Sequence, residues 1–202
     1  MAERAAEYAQ WLHVDVTDGI FAPNPLWRDF KEMKTNKFPS QIAFEVHLMT
    51  AEPHAIGEMY ATAGAQRVMA HVEAFADAAA AQGALRAWKA AGALEAGLVL
   101  KIDTPLSAVD MLVGECDFLQ LMSIDEIGFQ GKAFDERSVS RVEELHAMYP
   151  DMMVSVDGGV SESTVEELVR AGANRLVVGG AIVKSTNPAK TFAEIHERAM
   201  RG

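Results

Sequence analysis

Two histidines and two aspartates stand where short apolar segments end, and together they could hold a metal ion. His13 and Asp15 fall in the run HVDVTDG, His47 in EVHLM and Asp157 in SVDGG. Imidazole nitrogens and carboxylate oxygens are common ligands of divalent transition metals, and carboxylates also serve as general acids and bases. The residues alone therefore predict a metal site or an acid–base site, with hydrogen-bonded structural side chains as the alternative.

The other histidines fall into two groups. His71, in the run AHVEA, ends a further strand-like segment. We expect it to contact the substrate or a metal ligand rather than the metal, and a structural barrel histidine is the alternative. His54, His146 and His196 lie in helical segments, so they are predicted to be exposed on the surface.

Paired glycines in two late segments could bind a phosphate. Gly158 follows Asp157 in the run DGG, and Gly179 and Gly180 belong to the run VGGAI. Glycine lets the backbone come close to a ligand and present its N–H groups, and in barrels the last two loops frequently hold phosphate. An ordinary pair of tight turns is the alternative reading of these glycines.

A glycine-containing loop follows the fifth predicted strand. It reads GFQGKAF and includes Gly128, Gly131 and Lys132. Its length and glycines are typical of a mobile cover over an active site, although an ordinary strand–helix loop has a similar composition.

The elements that must position these residues alternate along the chain between short β-branched runs and longer segments with helical spacing. The predicted strands are Trp11–Val16, Ile42–Leu48, Arg67–Val72, Ala96–Ile102, Phe118–Ile124, Met152–Val156 and Arg175–Val178. The predicted helices are Pro53–Ala63, Ala76–Ala91, Pro105–Val113, Glu136–Met148, Ser163–Ala171 and Pro188–Met200, after a helical fragment at Ala2–Ala9. Such repeats imply parallel strands with right-handed crossovers.

Seven strands are one short of a closed eight-stranded barrel. The pattern thus predicts an α/β fold, a (β/α)₈ TIM barrel that lacks its first strand, or an open doubly wound sheet. We expect residues 1–202 to form one domain, because 202 residues suffice for one sizeable core and no linker interrupts them.

Composition narrows the classes of function. Half of the residues are hydrophobic, and the net charge of −11 argues against nucleic acid and anionic membranes as partners. No apolar stretch is long enough for a membrane span, and the charged N-terminus does not resemble a signal peptide. The one cysteine, Cys116, is predicted to be buried, and a cytoplasmic location is expected.

Taken together and in order, these motifs resemble those of the ribulose-phosphate 3-epimerase family nearly end to end. The resemblance implies a TIM barrel of the ribulose-phosphate-binding type. It also implies that His13, Asp15, His47 and Asp157 bind one divalent metal ion, which is zinc, iron, manganese or cobalt. Asp15 and Asp157 would then act as the acid–base pair in the interconversion of D-ribulose 5-phosphate and D-xylulose 5-phosphate, by proton transfer at C3 through an enediolate.

The resemblance assigns further residues to the substrate, a small phosphorylated sugar. Met49 and Met122 would pack around the reacting carbons. The phosphate would be surrounded by Gly158, Gly179 and Gly180 and covered by the loop Gly128–Gly131. We also expect a homo-oligomer.

The chain departs from the family pattern in three places. The family's first strand, which ends in a serine-bearing segment, has no counterpart. Thr17 replaces a methionine, which removes an apolar wall from the mouth. In the loop after the fifth predicted strand, Asp125 and Glu126 add negative charge, which Lys132 partly offsets. Gln130 replaces a glycine in the same loop. These differences keep two alternatives open, namely an epimerase of a hexulose 6-phosphate and a non-catalytic barrel remnant that binds a phosphosugar.

Overall fold

Strands and helices alternate along the chain in the computed structural model, which describes residues 2–26, 39 and 41–202. The strands are β1 Trp11–Thr17, β2 Ala43–Met49, β3 Arg67–His71, β4 Glu95–Leu100, β5 Phe118–Met122, β6 Met153–Asp157 and β7 Arg175–Val177. The α-helices are α1 Ala2–Ala5, α2 Pro53–Thr62, α3 Ala78–Ala90, α4 Arg137–Met148, α5 Val165–Arg170, α6 Gly180–Val183 and α7 Pro188–Ala199. Most of the connection between β1 and β2 lies outside the described residues.

The seven strands form one parallel sheet in the order of the sequence, from β1 to β7. The sheet curls into a nearly closed barrel with helices on its outside, and this confirms the predicted seven-stranded TIM-like fold. Within the described residues, β1 pairs with β2 and β7 with β6, so these two strands are the edges of the sheet.

Side chains that point outwards from the strands form the main core beneath the helices. Val46, Leu98 and Trp88 are fully buried there. Trp88 of α3 donates its indole N–H to the carbonyl of His54 at 2.9 Å, and a Cβ added to Gly57 of α2 would lie 2.2 Å from the same ring. A side chain at Gly57 is therefore excluded by the close approach of the two helices.

Side chains that point into the barrel include four charges at the amino ends of the strands, which we call the charge row: the buried Glu45 and the partly buried Arg67, Glu95 and Arg175. Arg67 lies 3.4 Å from Glu45 and 3.1 Å from Glu95, and Arg175 lies 2.7 Å from Glu95. The guanidinium of Arg67 also stacks 3.5 Å from the ring centroid of Trp11. The strand register places Glu45, Arg67 and Glu95 side by side, so each carboxylate meets a guanidinium without leaving its strand.

The helix predicted for Pro105–Val113 is wrong, because only Leu106–Val109 is helical and it is a 3₁₀ turn. Ala108 bonds to Pro105 and Leu112 to Val109, each three residues back along the chain. Leu106, Val109 and Leu112 are buried at this spacing. This spacing of three residues buries the same side chains as one face of an α-helix would.

The outer helices present the remaining histidines to solvent. His54, His146 and His196 are exposed, as predicted. In the part of the chain that the structure describes, no helix combines the length and the apolar character needed to cross a bilayer.

Cys116 is buried, as predicted, and burial raises the pKa of its thiol to about 12. Because the thiolate is the reactive form, we expect the folded protein not to react with Ellman's reagent at pH 8 over minutes. One equivalent should react at once in concentrated guanidinium chloride, since the chain has one cysteine. Rapid reaction of the folded protein would contradict this burial.

Candidate metal centre

Three strands bring four side chains to one point at the carboxyl end of the barrel. His13 and Asp15 are two residues apart on β1 and face the same way, His47 lies on β2, and Asp157 ends β6. One nitrogen or oxygen atom from each of them lies within 4.8 Å of the others. The structure thus gathers the four residues that the sequence singled out.

Four of the distances between these atoms suit ligands that would share one small divalent ion. Asp15 Oδ1 lies 3.4 Å from His13 Nε2 and 3.2 Å from His47 Nδ1. Asp157 Oδ2 lies 3.7 Å from His13 Nε2 and 3.6 Å from His47 Nδ1. Ligands about 2.0–2.2 Å from a tetrahedral metal are separated from one another by roughly 3.3–3.6 Å. Two nitrogens and two oxygens in this arrangement match the donor set of a divalent transition metal.

His13 shows the clearest sign that the donor set fits a metal. Its Nδ1 donates to Glu45 Oε1 at 2.8 Å, whereas its Nε2 is buried and lacks a hydrogen-bond partner among the described residues. A buried polar atom without a partner is costly, and metal coordination would satisfy it. Glu45 also belongs to the charge row, which thereby connects to the candidate ligand His13.

The charges of the cluster support one another. Burial disfavours the ionised form of Asp15, but the neighbouring imidazoles of His13 and His47 outweigh it and lower the pKa of Asp15. Burial likewise disfavours the charged imidazole of His13, but Asp15, Glu45 and Asp157 outweigh it and raise its pKa well above the usual value. A cationic group is thus stabilised where the two aspartates meet, as expected of a cation site.

His71 lies behind His47 rather than beside the four clustered groups. Its Nε2 is 3.0 Å from His47 Nε2, and its Nδ1 is 3.2 Å from Glu73 Oε2. Burial lowers the pKa of His71 to about 4, and the contact with His71 helps to lower the pKa of Glu73 to about 2 against the effect of burial. Glu73 was not singled out by the sequence, although it stands two residues after His71.

An apolar wall lies next to the four candidate metal ligands. Met49 and Met122, at the ends of β2 and β5, are buried together with Met69, and Phe21 packs against this group. Asn24, in the same loop as Phe21, donates its side-chain amide to the carbonyl of Gly128 at 3.4 Å. The loop after β1 therefore meets the loop after β5 over the mouth of the barrel.

Thr17 pins the loop after β1. Its side chain is fully buried, donates to the carbonyl of Asn24 and accepts from the N–H of Leu26 at 2.7 Å. The neighbouring Asp18 accepts from the N–H groups of Ile20 and Phe21, each at 2.8 Å. The expectation that Thr17 only removes an apolar wall therefore leaves out its hydrogen bonds, which hold the loop in place.

The late glycines differ in their surroundings. Gly158 and Gly159 have positive φ values of 121° and 64°. A Cβ would lie 2.8 Å from Ile124 at the first and 2.7 Å from the backbone of Phe134 at the second. Among the described residues, no atom outside their own neighbourhood lies within 4 Å of a Cβ built on Gly179 or Gly180. The first pair therefore packs against the loop after β5, and the second pair borders open space among the described residues.

The loop after β5 carries its own ion pair. Gly128 and Gly131 both adopt positive φ, near 80°. The ammonium of Lys132 pairs with the carboxylate of Glu126 and lies 4.9 Å from the ring centroid of Phe129. Lys132 thus offsets the charge of Glu126 within the loop, as the sequence predicts.

A model of the "Ribulose-phosphate 3 epimerase family" matches residues 2–183. The "Ribulose-phosphate 3-epimerase" of Mycobacterium bovis is 34% identical over 205 residues, covering 98% of this chain and 87% of that protein. The chloroplastic "Ribulose-5-phosphate-3-epimerase" of Arabidopsis thaliana is 35% identical over 201 residues, covering 95% of this chain and 67% of that protein.

Among solved structures, a 3-hexulose-6-phosphate synthase superimposes with a TM-score of 0.70 at 21% identity, covering 98% of this chain and 90% of that one. At this identity the likeness supports the barrel fold alone. The family match, by contrast, spans the strands that carry all four clustered residues. The chain belongs to the ribulose-phosphate 3-epimerase family.

Proposed function

We propose that this chain is a metal-dependent epimerase that interconverts D-ribulose 5-phosphate and D-xylulose 5-phosphate by proton transfer at C3. The observation that carries the proposal is the meeting of two carboxylates, Asp15 and Asp157, which reach the same centre from β1 and β6. Inversion at a carbon beside a carbonyl requires two proton-transfer groups, one for each face of the substrate. The family match supports an isomerase of this class.

Asp15 and Asp157 are suited to this exchange because both keep contact with the mouth of the barrel. Their side chains are 30% and 16% exposed, whereas the side chain of His47 has no exposed surface. One oxygen of each aspartate faces the histidine nitrogens, which leaves the other free to face C3. One carboxylate then removes the C3 proton on its side, and the other returns a proton on the opposite face of the enediolate.

His13, Asp15, His47 and Asp157 would hold the metal, a single divalent ion of zinc, iron, manganese or cobalt. When bound, such an ion supplies Lewis acidity that stabilises negative charge developing on the substrate oxygens. His13 and His47 contribute neutral nitrogens to this set, and the hydrogen bond from His13 to Glu45 keeps its ring in place.

The remaining site residues would bind the phosphosugar. Met49 and Met122 form the apolar wall next to the cluster, where they would pack around the reacting carbons. Gly179 and Gly180 border open space, so their backbone N–H groups can approach a phosphate. Gly158 would complete the phosphate cradle, and the loop Gly128–Gly131 would cover it.

The reaction can be tested by ¹H NMR in D₂O with the purified, metal-loaded protein and D-ribulose 5-phosphate. We expect D-xylulose 5-phosphate to appear together with deuterium at C3, because the abstracted proton exchanges with solvent. A parallel sample with a hexulose 6-phosphate distinguishes the alternative epimerase. Failure of both substrates to exchange would refute epimerase function and favour a barrel that only binds phosphosugars.

Two further features are proposals about the whole chain. We expect residues 1–202 to unfold as one domain, in a single cooperative transition. We also expect a homo-oligomer, which light scattering coupled to size-exclusion chromatography would test.

A further inference from the structure

The two ring nitrogens of His47 face different partners. Nδ1 lies within the metal cluster, 3.2 Å from Asp15 Oδ1. Nε2 lies 3.0 Å from Nε2 of His71. Both rings are fully buried, so no solvent competes for this contact. Two imidazole nitrogens at this distance share one proton, and its position decides which nitrogen of His47 offers a lone pair to the metal.

Glu73 sets the direction of that hydrogen bond. Its Oε2 lies 3.2 Å from Nδ1 of His71, and a carboxylate can only accept, so Nδ1 of His71 donates. A neutral imidazole has one N–H, so Nε2 of His71 must accept. His47 therefore donates from Nε2, and its Nδ1 keeps the lone pair that coordination requires.

Glu73 is itself held in place by the loop after β4. Its other oxygen, Oε1, accepts from the backbone N–H of Lys101 at 2.9 Å and from the hydroxyl of Thr104. These bonds leave Oε2 for His71. The ring of Phe21 lies 5.1 Å from that of His71 and closes its other side. The position of His71 is thus fixed from two neighbouring loops.

Comparison with His13 explains why an intermediate ring is needed. His13 reaches a carboxylate directly, since its Nδ1 bonds to Glu45 and its Nε2 faces the metal cluster. His47 presents the opposite nitrogen to the cluster. Its outer nitrogen meets a second imidazole, which passes the hydrogen bond on to Glu73.

We propose that His71 and Glu73 are positioning residues that fix the tautomer and orientation of His47, so that its Nδ1 faces the metal. This inference rests on the proposed function only through the metal site. Neither residue contacts the reacting atoms in this assignment, and the effect of both passes through His47. Loss of such an outer hydrogen bond typically weakens metal affinity about 10–100-fold.

The test measures Zn²⁺ affinity of the metal-free protein against a chromophoric chelator. The variant His71→Leu removes the acceptor and should bind Zn²⁺ about 10–100-fold more weakly. The variant His71→Gln is the matched control, because its amide oxygen can accept near the position of Nε2, so it should retain most of the affinity. Equal affinities for the leucine variant and the wild type would overturn the proposal.

A second variant covers the case in which His71→Leu does not fold. In Glu73→Gln the amide can donate to His71, which reverses the hydrogen bonds and places two N–H groups against each other. We expect about tenfold weaker Zn²⁺ binding with an unchanged melting temperature of the metal-free protein. Unchanged Zn²⁺ affinity in this folded variant would contradict the relay.

NMR provides a readout that a merely structural role would not move. In the zinc-loaded wild type, long-range ¹H–¹⁵N spectra should show a protonated Nε2 and a metal-bound Nδ1 at His47. The reverse assignment would overturn the proposal. At saturating Zn²⁺, the KM of His71→Leu and Glu73→Gln for the phosphosugar should stay near the wild-type value. If the wild type binds no Zn²⁺, the proposed metal site itself fails, which is a separate result.

Discussion

An Asp157→Asn variant is expected to lose at least about a thousandfold in kcat for the epimerisation at C3, in line with the loss of a general acid–base group. The amide keeps the size of the side chain but cannot accept or return a proton. Because Asp157 ends β6 and lies within 3.7 Å of both clustered histidines, the same change also removes one charge from the metal set. Initial rates at saturating metal and substrate separate the loss of proton transfer from weaker binding.

Asp151→Asn is the matched control for this variant. Asp151 precedes the same strand at its other end and is exposed, so the identical chemical change should leave kcat unaffected. Asp15→Asn should behave like Asp157→Asn, because each carboxylate serves one face of the substrate. A loss smaller than tenfold in both site variants would rule out the assigned acid–base pair.

An Arg67→Met variant is expected to lower the free energy of unfolding by up to about 3 kcal/mol, the lower end of the usual cost of removing one partner from a buried ion pair, because Glu95 is partly exposed. Arg67 lies between Glu45 and Glu95 and has a side chain only 13% exposed. Methionine fills similar space but leaves both carboxylates without this counter-charge. Urea denaturation of the metal-free protein, followed by tryptophan fluorescence, gives the measurement.

Arg86→Met provides the control for surface charge. Arg86 makes a 2.6 Å ion pair with Glu115, but its side chain is 64% exposed. Solvent screens such pairs, so the change should be within the error of the measurement. Equal effects of the two substitutions would show that the charge row does not stabilise the barrel.

The ligand set could be read from the sequence because strand geometry is simple. His13 and Asp15 are two residues apart on one strand and so face the same way, and parallel strands bring their carboxyl ends to the same side, where His47 and Asp157 also lie. The seven strands were predictable for a similar reason, since each is a short apolar run. Both the ligand set and the strands are predictable from the spacing of residues that are close together in the sequence.

The supporting contacts were harder to predict because they join residues far apart in sequence. Glu45, Arg67 and Glu95 form a row only because the register of β2, β3 and β4 sets them side by side. A usable signal was present, namely charged residues in strands that are otherwise apolar. The pairing of His47 with His71 depends on ring orientation, which spacing does not fix.

The sequence does not predict the helix Gly180–Val183, because this helix lies inside a glycine motif that favours a loop. The sequence predicts a longer helix around the 3₁₀ turn Leu106–Val109, because both elements place apolar residues about three apart. In both cases the apolar pattern identifies which side chains are buried, whereas the hydrogen bonds of the backbone decide the element.

Because β1 is an edge strand, a bound ion would stabilise the closure of the barrel as well as take part in the chemistry. In the described sheet β1 is paired on one side only, yet it carries His13 and Asp15, and Asp157 comes from β6 beyond the opposite edge strand. An ion held by all three residues would link β1 to β6 across the seam between the edge strands β7 and β1. Loading should therefore slow amide hydrogen exchange along Trp11–Thr17 more than along the central strands β3 and β4, and chelation should loosen that seam first.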